Sequence, residues 1–252
     1  MKSYWLGLTI GNSRLHWGLF ADDSLIERES SQHLSSILER DRLIQSILTS
    51  YSLNILPIYL ISVVPEQTKL WLSYEHLTQI TLQDIPLTNL YPTLGIDRAI
   101  AALGGGETYG YPCLIVDGGT ALTFTGVDNH KKLIGGAILL GLRSQFAALH
   151  QKTAALPEAT LPDSLPNRWA LDTDSAIASG IIYTYLAGIQ DFIADWYEKF
   201  PHSSIILTGG DSDLLWQYLQ VQSSLLNRSI SLDRNLILWG IKAVYDNRRK
   251  NT

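Results

Sequence analysis

The sequence predicts an α/β fold made of two related halves, and three observations predict it. Short apolar runs bounded by turn residues alternate with longer stretches of helical periodicity. Two strand–turn–strand segments share one pattern: setting Leu6 on Leu114 places Thr9 on Asp117, Gly11 on Gly119, Asn12 on Thr120 and Gly18 on Gly126. Gly104, Gly105 and Gly106, with Gly110 after them, mark a candidate boundary, dividing the chain into a first domain over 1–110 and a second over 111–252. An internal duplication of this kind predicts two domains facing a cleft.

In chain order, Tyr4–Ile10 reads as a strand, Gly11-Asn12-Ser13 as a turn and Leu15–Phe20 as the returning strand, ending at Asp22-Asp23. Ser35–Ser50 carries apolar residues at Ile37, Leu38, Ile44, Ile47 and Leu48, a helical spacing. Ile58–Val63 reads as a buried strand and Ile80–Leu82 as a short one. Ile96–Leu103, entered through Leu94-Gly95, is alanine-rich and helical in character. Leu114–Val116 and Leu122–Val127 are strands around Asp117-Gly118-Gly119-Thr120, and Leu142–Leu149 is helical. After a loop spanning Pro157–Pro166, a long helical pattern runs from Thr173 to Phe200, with one apolar stripe suited to a core and an interface. Ile205–Leu207 is a strand into Thr208-Gly209-Gly210; helices follow from Leu214 and over Leu236–Arg248.

Composition narrows the function classes. Hydrophobic residues make up 46% and charged residues 17% of the 252, which describes a globular protein rather than a disordered one. A net charge of −5 argues against a nucleic-acid partner, whose footprint needs clustered positive charge; the one basic run, Arg248-Arg249-Lys250, reads as a solvated helix end. The single cysteine, Cys113, lies in an apolar run and reads as a buried thiol, leaving no disulfide framework. The six histidines show no metal-like spacing, and the seven tryptophans read as core or interface fillers. With no secretory signal pattern and no unbroken apolar run of about 20 residues, the expected setting is cytoplasmic, with no membrane partner.

The glycine turns carry the first chemical signal. A phosphate needs backbone N–H donors that approach closely, and glycine permits this because it has no Cβ. Gly11-Asn12-Ser13 and Gly118-Gly119-Thr120 both offer that arrangement beside a polar side chain. Either alone is also an ordinary hairpin turn; two at matching positions, with Thr208-Gly209-Gly210 after a third strand, point to nucleotide binding. Neither GxxxxGK[ST] nor GxGxxG occurs at a strand–helix junction. Asp97-Arg98, after Gly95 at a helix start, offers a base and a bidentate cation, the pair that phosphoryl transfer to an alcohol needs. Asp117, at a strand end against a glycine turn, is a candidate cation ligand.

These motifs resemble, in order along nearly the whole chain, those of the type III pantothenate kinases. Thr9-Ile10-Gly11-Asn12-Ser13 is similar to the family's Asp-x-Gly-Asn-Thr/Ser, and Leu94-Gly95-Ile96-Asp97-Arg98 to its Leu-Gly-x-Asp-Arg. Asp117-Gly118-Gly119-Thr120-Ala121 resembles Asp-x-Gly-Thr-Ala, Thr173 to Gly180 a Thr-x-x-Ala-Ile-x-x-Gly element, and Thr208-Gly209-Gly210-Asp211 the adenosine-side Thr-Gly-Gly. The resemblance implies two tandem ribonuclease H-like domains of the actin-like ATPase class and ATP-dependent phosphorylation of pantothenate to 4′-phosphopantothenate. It implies Asp97 as general base, with Tyr91, Gly95, Ile96, Arg98 and Thr173 around pantothenate. ATP phosphates would meet Thr9, Ile10, Gly11, Asn12, Ser13, Arg14, Leu15 and His16 of the first loop and Thr120 of the second. Mg2+ would accompany ATP, Asp117 would hold K+ or NH4+, and two copies would form a homodimer.

The sequence departs from the family pattern at Thr9, where Asp is usual, and at His16, where Lys is common. Leu140-Gly141 replaces Pro-Gly, and the Tyr91-Pro92 approach to Gly95 is a residue short. Thr9 matters most, because a hydroxyl binds hydrated Mg2+ less well than a carboxylate. It keeps open a second reading, a nucleotide- or pantothenate-binding relative without efficient transfer, beside a third, a kinase for another small hydroxy acid.

Overall fold

The computed structural model describes residues 2–222 and 230–250. Contacts divide the chain into two units, residues 1–104 with 237–252 and residues 105–236.

In the first unit, β1 (Tyr4–Ile10), β2 (Leu15–Ala21) and β3 (Ser24–Ser31) form an antiparallel meander, and β4 (Ile58–Ser62) and β5 (Leu77–Gln79) add in parallel on the other side of β1. The sheet order is β3-β2-β1-β4-β5. Leu6, Leu8 and Ile10 of β1 pack with Ile58 and Leu60 against Ile44 and Ile47 of α1 (Ile37–Ser50), closing a core around Trp71. That helix starts where expected because Ser36 caps it, accepting from Glu39 N at 3.3 Å. Elsewhere in the unit, Trp5 stacks between Phe20 at 4.1 Å and Tyr245 of α7 (Leu236–Lys250) at 4.3 Å. Gly240 lets α7 approach α3 (Ile96–Tyr109): a Cβ there would lie 2.1 Å from Ile100 O.

The expected strand at Ile80–Leu82 is corrected. The strand is β5, three residues earlier in its start, and Leu82–Asp84 is a single 3-10 turn. Asp84 ends the ladder by accepting from Thr81 N at 2.7 Å and from its hydroxyl at 3.0 Å, which winds the chain into a turn. A short helix, α2 (Pro65–Lys69), also follows β4.

The second unit repeats the plan. β6 (Cys113–Gly118), β7 (Ala121–Val127) and β8 (Leu133–Leu140) form the meander, with β9 (Ser204–Thr208) and β10 (Ile230–Leu232) parallel beyond β6. The order β8-β7-β6-β9-β10 mirrors the first sheet strand for strand. Its core gathers Leu114, Val116 and Phe124 under α4 (Leu142–Lys152), α5 (Thr173–Lys199) and α6 (Ser212–Gln222). Gly126 makes room for Trp196 of α5, since a Cβ would meet its ring at 2.3 Å. α5 has the length and mean hydropathy of a bilayer-crossing helix, a property no unbroken apolar run in the sequence displays. Ile182, Tyr185, Leu186 and Ile189 are buried in the unit's core, so the same residues satisfy a core helix.

Candidate active site

In the first unit the predicted residues fall into two groups. The first is the β1–β2 turn. Gly11 N donates to Arg14 O at 2.9 Å, closing the turn, and Val63 N donates to Ile10 O at 3.0 Å. Thr9 is buried and stands opposite His16 across the hairpin. Ile10 and Leu15 point into the core, leaving their backbone atoms to the loop, whereas Asn12, Ser13 and Arg14 are exposed. His16 has its pKa lowered from 6.5, first by desolvation of the ring and second by the charge of Arg14. His33, outside the predicted set, places Nε2 2.8 Å from Gly11 O.

The second group sits at the start of α3. Asp97 turns its carboxylate back over Gly95, where Oδ1 accepts from Arg98 N at 2.9 Å. A Cβ on residue 95 would lie 2.5 Å from that same oxygen, so glycine is what gives the carboxylate its position. Arg98 is buried and donates to the Tyr91 hydroxyl at 3.0 Å, while Tyr91 is 41% exposed. The spacing Gly-x-Asp-Arg thus has a local reason. It yields a half-buried carboxylate and a fixed guanidinium on one helical turn, beside a phenol reachable from solvent.

In the second unit three loops meet around Asp117. Gly119 N donates to Ala121 O at 2.9 Å, shaping the β6–β7 turn, and Gly141 N donates to Thr120 O at 3.0 Å. Ser144 of α4 donates to Thr120 O at 3.1 Å. Gly141 must be glycine here, because a Cβ would lie 2.0 Å from Gly119 O; the loss of the usual preceding proline leaves this contact intact. After β9, Gly209 has φ +94°, and a Cβ would fall 2.3 Å from Asp117 Oδ1. Asp211 N donates to Gly118 O at 2.8 Å, and its buried carboxylate takes Arg143 Nε at 2.8 Å. Asp211 and Asp117 both raise the pKa of buried Tyr185, although burial is the larger cause. Thr120 is exposed at the turn. Thr173 lies apart from this cluster, at the first turn of α5, where it lines a groove of about 690 Å³ with Leu149, Leu156, Leu171, Ile177 and Ile181.

Sequence reasoning missed His33 and Arg143 and gave Asp211 no role. The first two have no local motif; Asp211 was visible as the residue after Thr208-Gly209-Gly210. Among the described residues no group of three or more His, Cys, Asp or Glu side chains is placed to hold a metal ion.

The fold is shared with nucleotide-binding proteins of the actin-like ATPase class. The activator of the 2-hydroxyisocaproyl-CoA dehydratase from Clostridium difficile, solved with bound ADPNP, superposes with TM-score 0.55 at 9% identity, covering 98% of each chain. MreB5 of Spiroplasma citri, solved with ADP, gives 0.53 at 10% identity, again over 98% of each. At such identities the likeness concerns fold alone. Sequence similarity is far more specific. The family model of the type III pantothenate kinases matches residues 5–195. A type III pantothenate kinase of Synechocystis is 45% identical over 247 residues, covering 97% of this chain and 91% of the relative. One from Nostoc is 43% identical over 262 residues, covering 97% and 95%. With two glycine turns on duplicated sheets, the Gly95–Arg98 turn and a match along nearly the whole length, the chain belongs to the type III pantothenate kinases, which phosphorylate pantothenate with ATP.

Proposed function

We propose that Asp97 is the general base of this reaction, taking the proton from the primary hydroxyl of pantothenate as that oxygen attacks the γ-phosphorus of ATP. The observation that carries the reading is the carboxylate held over Gly95 by the Arg98 amide, half-buried and open to a ligand. One oxygen is occupied by the backbone donor, which fixes the group and leaves the other to receive a proton. Arg98, braced by Tyr91, is suited to the carboxylate of pantothenate through its bidentate fork. Gly95 and Ile96 frame that substrate, and Thr173 is assigned to it as a further hydroxyl.

ATP phosphates are assigned to the amides and side chains of Thr9 to His16 and to Thr120. A monovalent cation, K+ or NH4+, fits at Asp117. Asp117 is half-buried at the end of its strand, and the carbonyls of the surrounding turns are oxygen donors of the kind such ions take. Bound there, the ion supplies positive charge next to the phosphates. The first loop does not fit Mg2+ in the same way: Thr9 is a hydroxyl on the strand where a carboxylate is usual, so the divalent ion is assigned to the phosphates of ATP.

A homodimer, and a cytoplasmic setting, complete the reading. Ile138 and Leu140, on one face of β8, are 67% and 46% exposed, an apolar strip suited to a second copy. The deciding experiment is an ADP-release assay with ATP, pantothenate, Mg2+ and K+. Asp97→Asn keeps the fold and loses about 10³-fold or more in kcat, within the range of general-base catalysis and its positioning. A variant that turns over at the wild-type rate would remove Asp97 from the mechanism.

A further inference from the structure

We infer that His33 is a positioning residue for ATP, acting through the backbone of the first glycine loop; this rests on the reading of that loop as a phosphate site. Nothing in the sequence motifs includes His33, which lies just after β3. Its ring nitrogen Nε2 is 2.8 Å from Gly11 O. A carbonyl oxygen only accepts, so Nε2 carries the proton and donates.

The consequence follows from peptide geometry. Gly11 C=O and Asn12 N–H belong to one planar trans unit and point in opposite directions. Holding the carbonyl towards His33 therefore aims the Asn12 amide away from it, towards the side where Asn12 itself is exposed. The neighbouring Gly11 amide is already engaged with Arg14 O at 2.9 Å, so the loop's phosphate-facing donors begin at Asn12. Glycine at 11 makes this peptide easy to rotate, and an anchor from outside the loop is what fixes its plane.

His33 is itself rigidly mounted. Leu34 O accepts from Gln67 Nε2 of α2 at 3.0 Å, tying the segment to one helix. Ser35 N donates to Glu39 Oε2 at 2.7 Å, and Ser36 caps α1, tying it to another. An imidazole held between two helices and a phosphate loop preorganises the donor before ATP arrives, and preorganisation appears in nucleotide affinity rather than in the chemical step.

Steady-state kinetics on the full-length enzyme test this. His33→Ala raises KM for ATP about tenfold, the effect of losing one orienting hydrogen bond, with kcat at saturating ATP and KM for pantothenate within twofold of wild type. His33→Gln, whose amide N–H reaches a similar distance, restores most of the loss, whereas His33→Leu, which fills space without donating, does not. A wild-type KM for ATP in His33→Ala overturns the inference, and so do equal values for the Gln and Leu variants, a comparison that holds even if alanine lowers the melting temperature. Asn12→Pro, which removes that backbone N–H, separates the two levels. If it raises KM for ATP while His33→Ala does not, only the role of His33 falls; if neither moves it, the loop is not the phosphate site and both readings fall.

Discussion

Replacing Gly95 by alanine perturbs the Asp97 carboxylate, the base we propose, with one methyl group. The added Cβ would lie 2.5 Å from Asp97 Oδ1, against 3.4 Å for an ordinary contact, so the carboxylate must retreat by roughly 1 Å. The next nearest atom, Asp97 Cγ, is already at 3.6 Å, which confines the conflict to the end of one side chain. Giving way costs a rotamer distortion of about 0.5–1.5 kcal/mol. Gly95 does not sit in the left-handed region, so alanine also narrows the unfolded ensemble and offsets about 0.4–1 kcal/mol of that cost. The melting temperature should therefore fall by no more than about 4 °C. Catalysis is more sensitive, because a misplacement of about 1 Å costs on the order of 100-fold in rate. The expected result is a kcat lowered about 100-fold in an ADP-release assay, with near-native melting by differential scanning fluorimetry. A variant with wild-type kcat would refute the claim that glycine serves to seat the base, and a loss of activity matched by unfolding would refute the separation of the two effects.

Two further outcomes are expected. Gly209→Ala forces a side chain into φ +94° and against both Asp117 Oδ1 at 2.3 Å and Gly118 O at 2.5 Å; it lowers stability by about 1–3 kcal/mol in urea unfolding and flattens the dependence of kcat on K+. His16→Lys gives the first loop a permanent charge and lowers KM for ATP a few-fold at pH 8. Because His16 has a lowered pKa, it is neutral there and charges only below its ordinary 6.5, so the gap between the two proteins closes as a pH series moves into acid. A gap that widens in acid contradicts that order.

The duplication was readable because strand–glycine–strand segments are local, and the two sheets do repeat strand for strand. The Gly95–Arg98 turn was readable for the same reason: its hydrogen bonds span neighbouring residues. What was hidden depends on distant partners. β3 carries Glu27, Arg28 and Glu29, an exposed edge with no apolar alternation to announce it. β8 shows its apolar Ile138, Leu139 and Leu140 to solvent, so periodicity gave no inward face. The expected helix end at Leu103 was wrong because α3 continues through Gly104, Gly105 and Gly106 to Tyr109. Glycine opposes a helix locally, yet a Cβ at 105 would meet Ile115 at 2.3 Å and one at 106 would meet Tyr111 at 1.9 Å, so packing selects the residue that propensity rejects. The attachment of α7 to the first sheet likewise rests on Leu238 entering the space over Gly18, a contact no local pattern encodes.

The loss of the acidic residue at Thr9 becomes intelligible once the two sheets are laid on each other. Asp117 is paired with Thr208 in β9, as Thr9 is with Ile61 in β4. The residue after Thr208 is Gly209, whose left-handed backbone packs so closely on the carboxylate that a Cβ would lie 2.3 Å from Oδ1. The residue after Ile61 is Ser62, and its hydroxyl instead accepts from Val64 N at 3.1 Å, closing its own turn. The first unit therefore lacks both the carboxylate and the glycine that lets the backbone pack against it, a paired change rather than a single substitution. Where the second loop keeps the Asp117 carboxylate, the first presents Arg14, His16 and a His33-anchored turn. The two loops share one plan and differ in charge, with a carboxylate at Asp117 in the second where the first has the hydroxyl of Thr9.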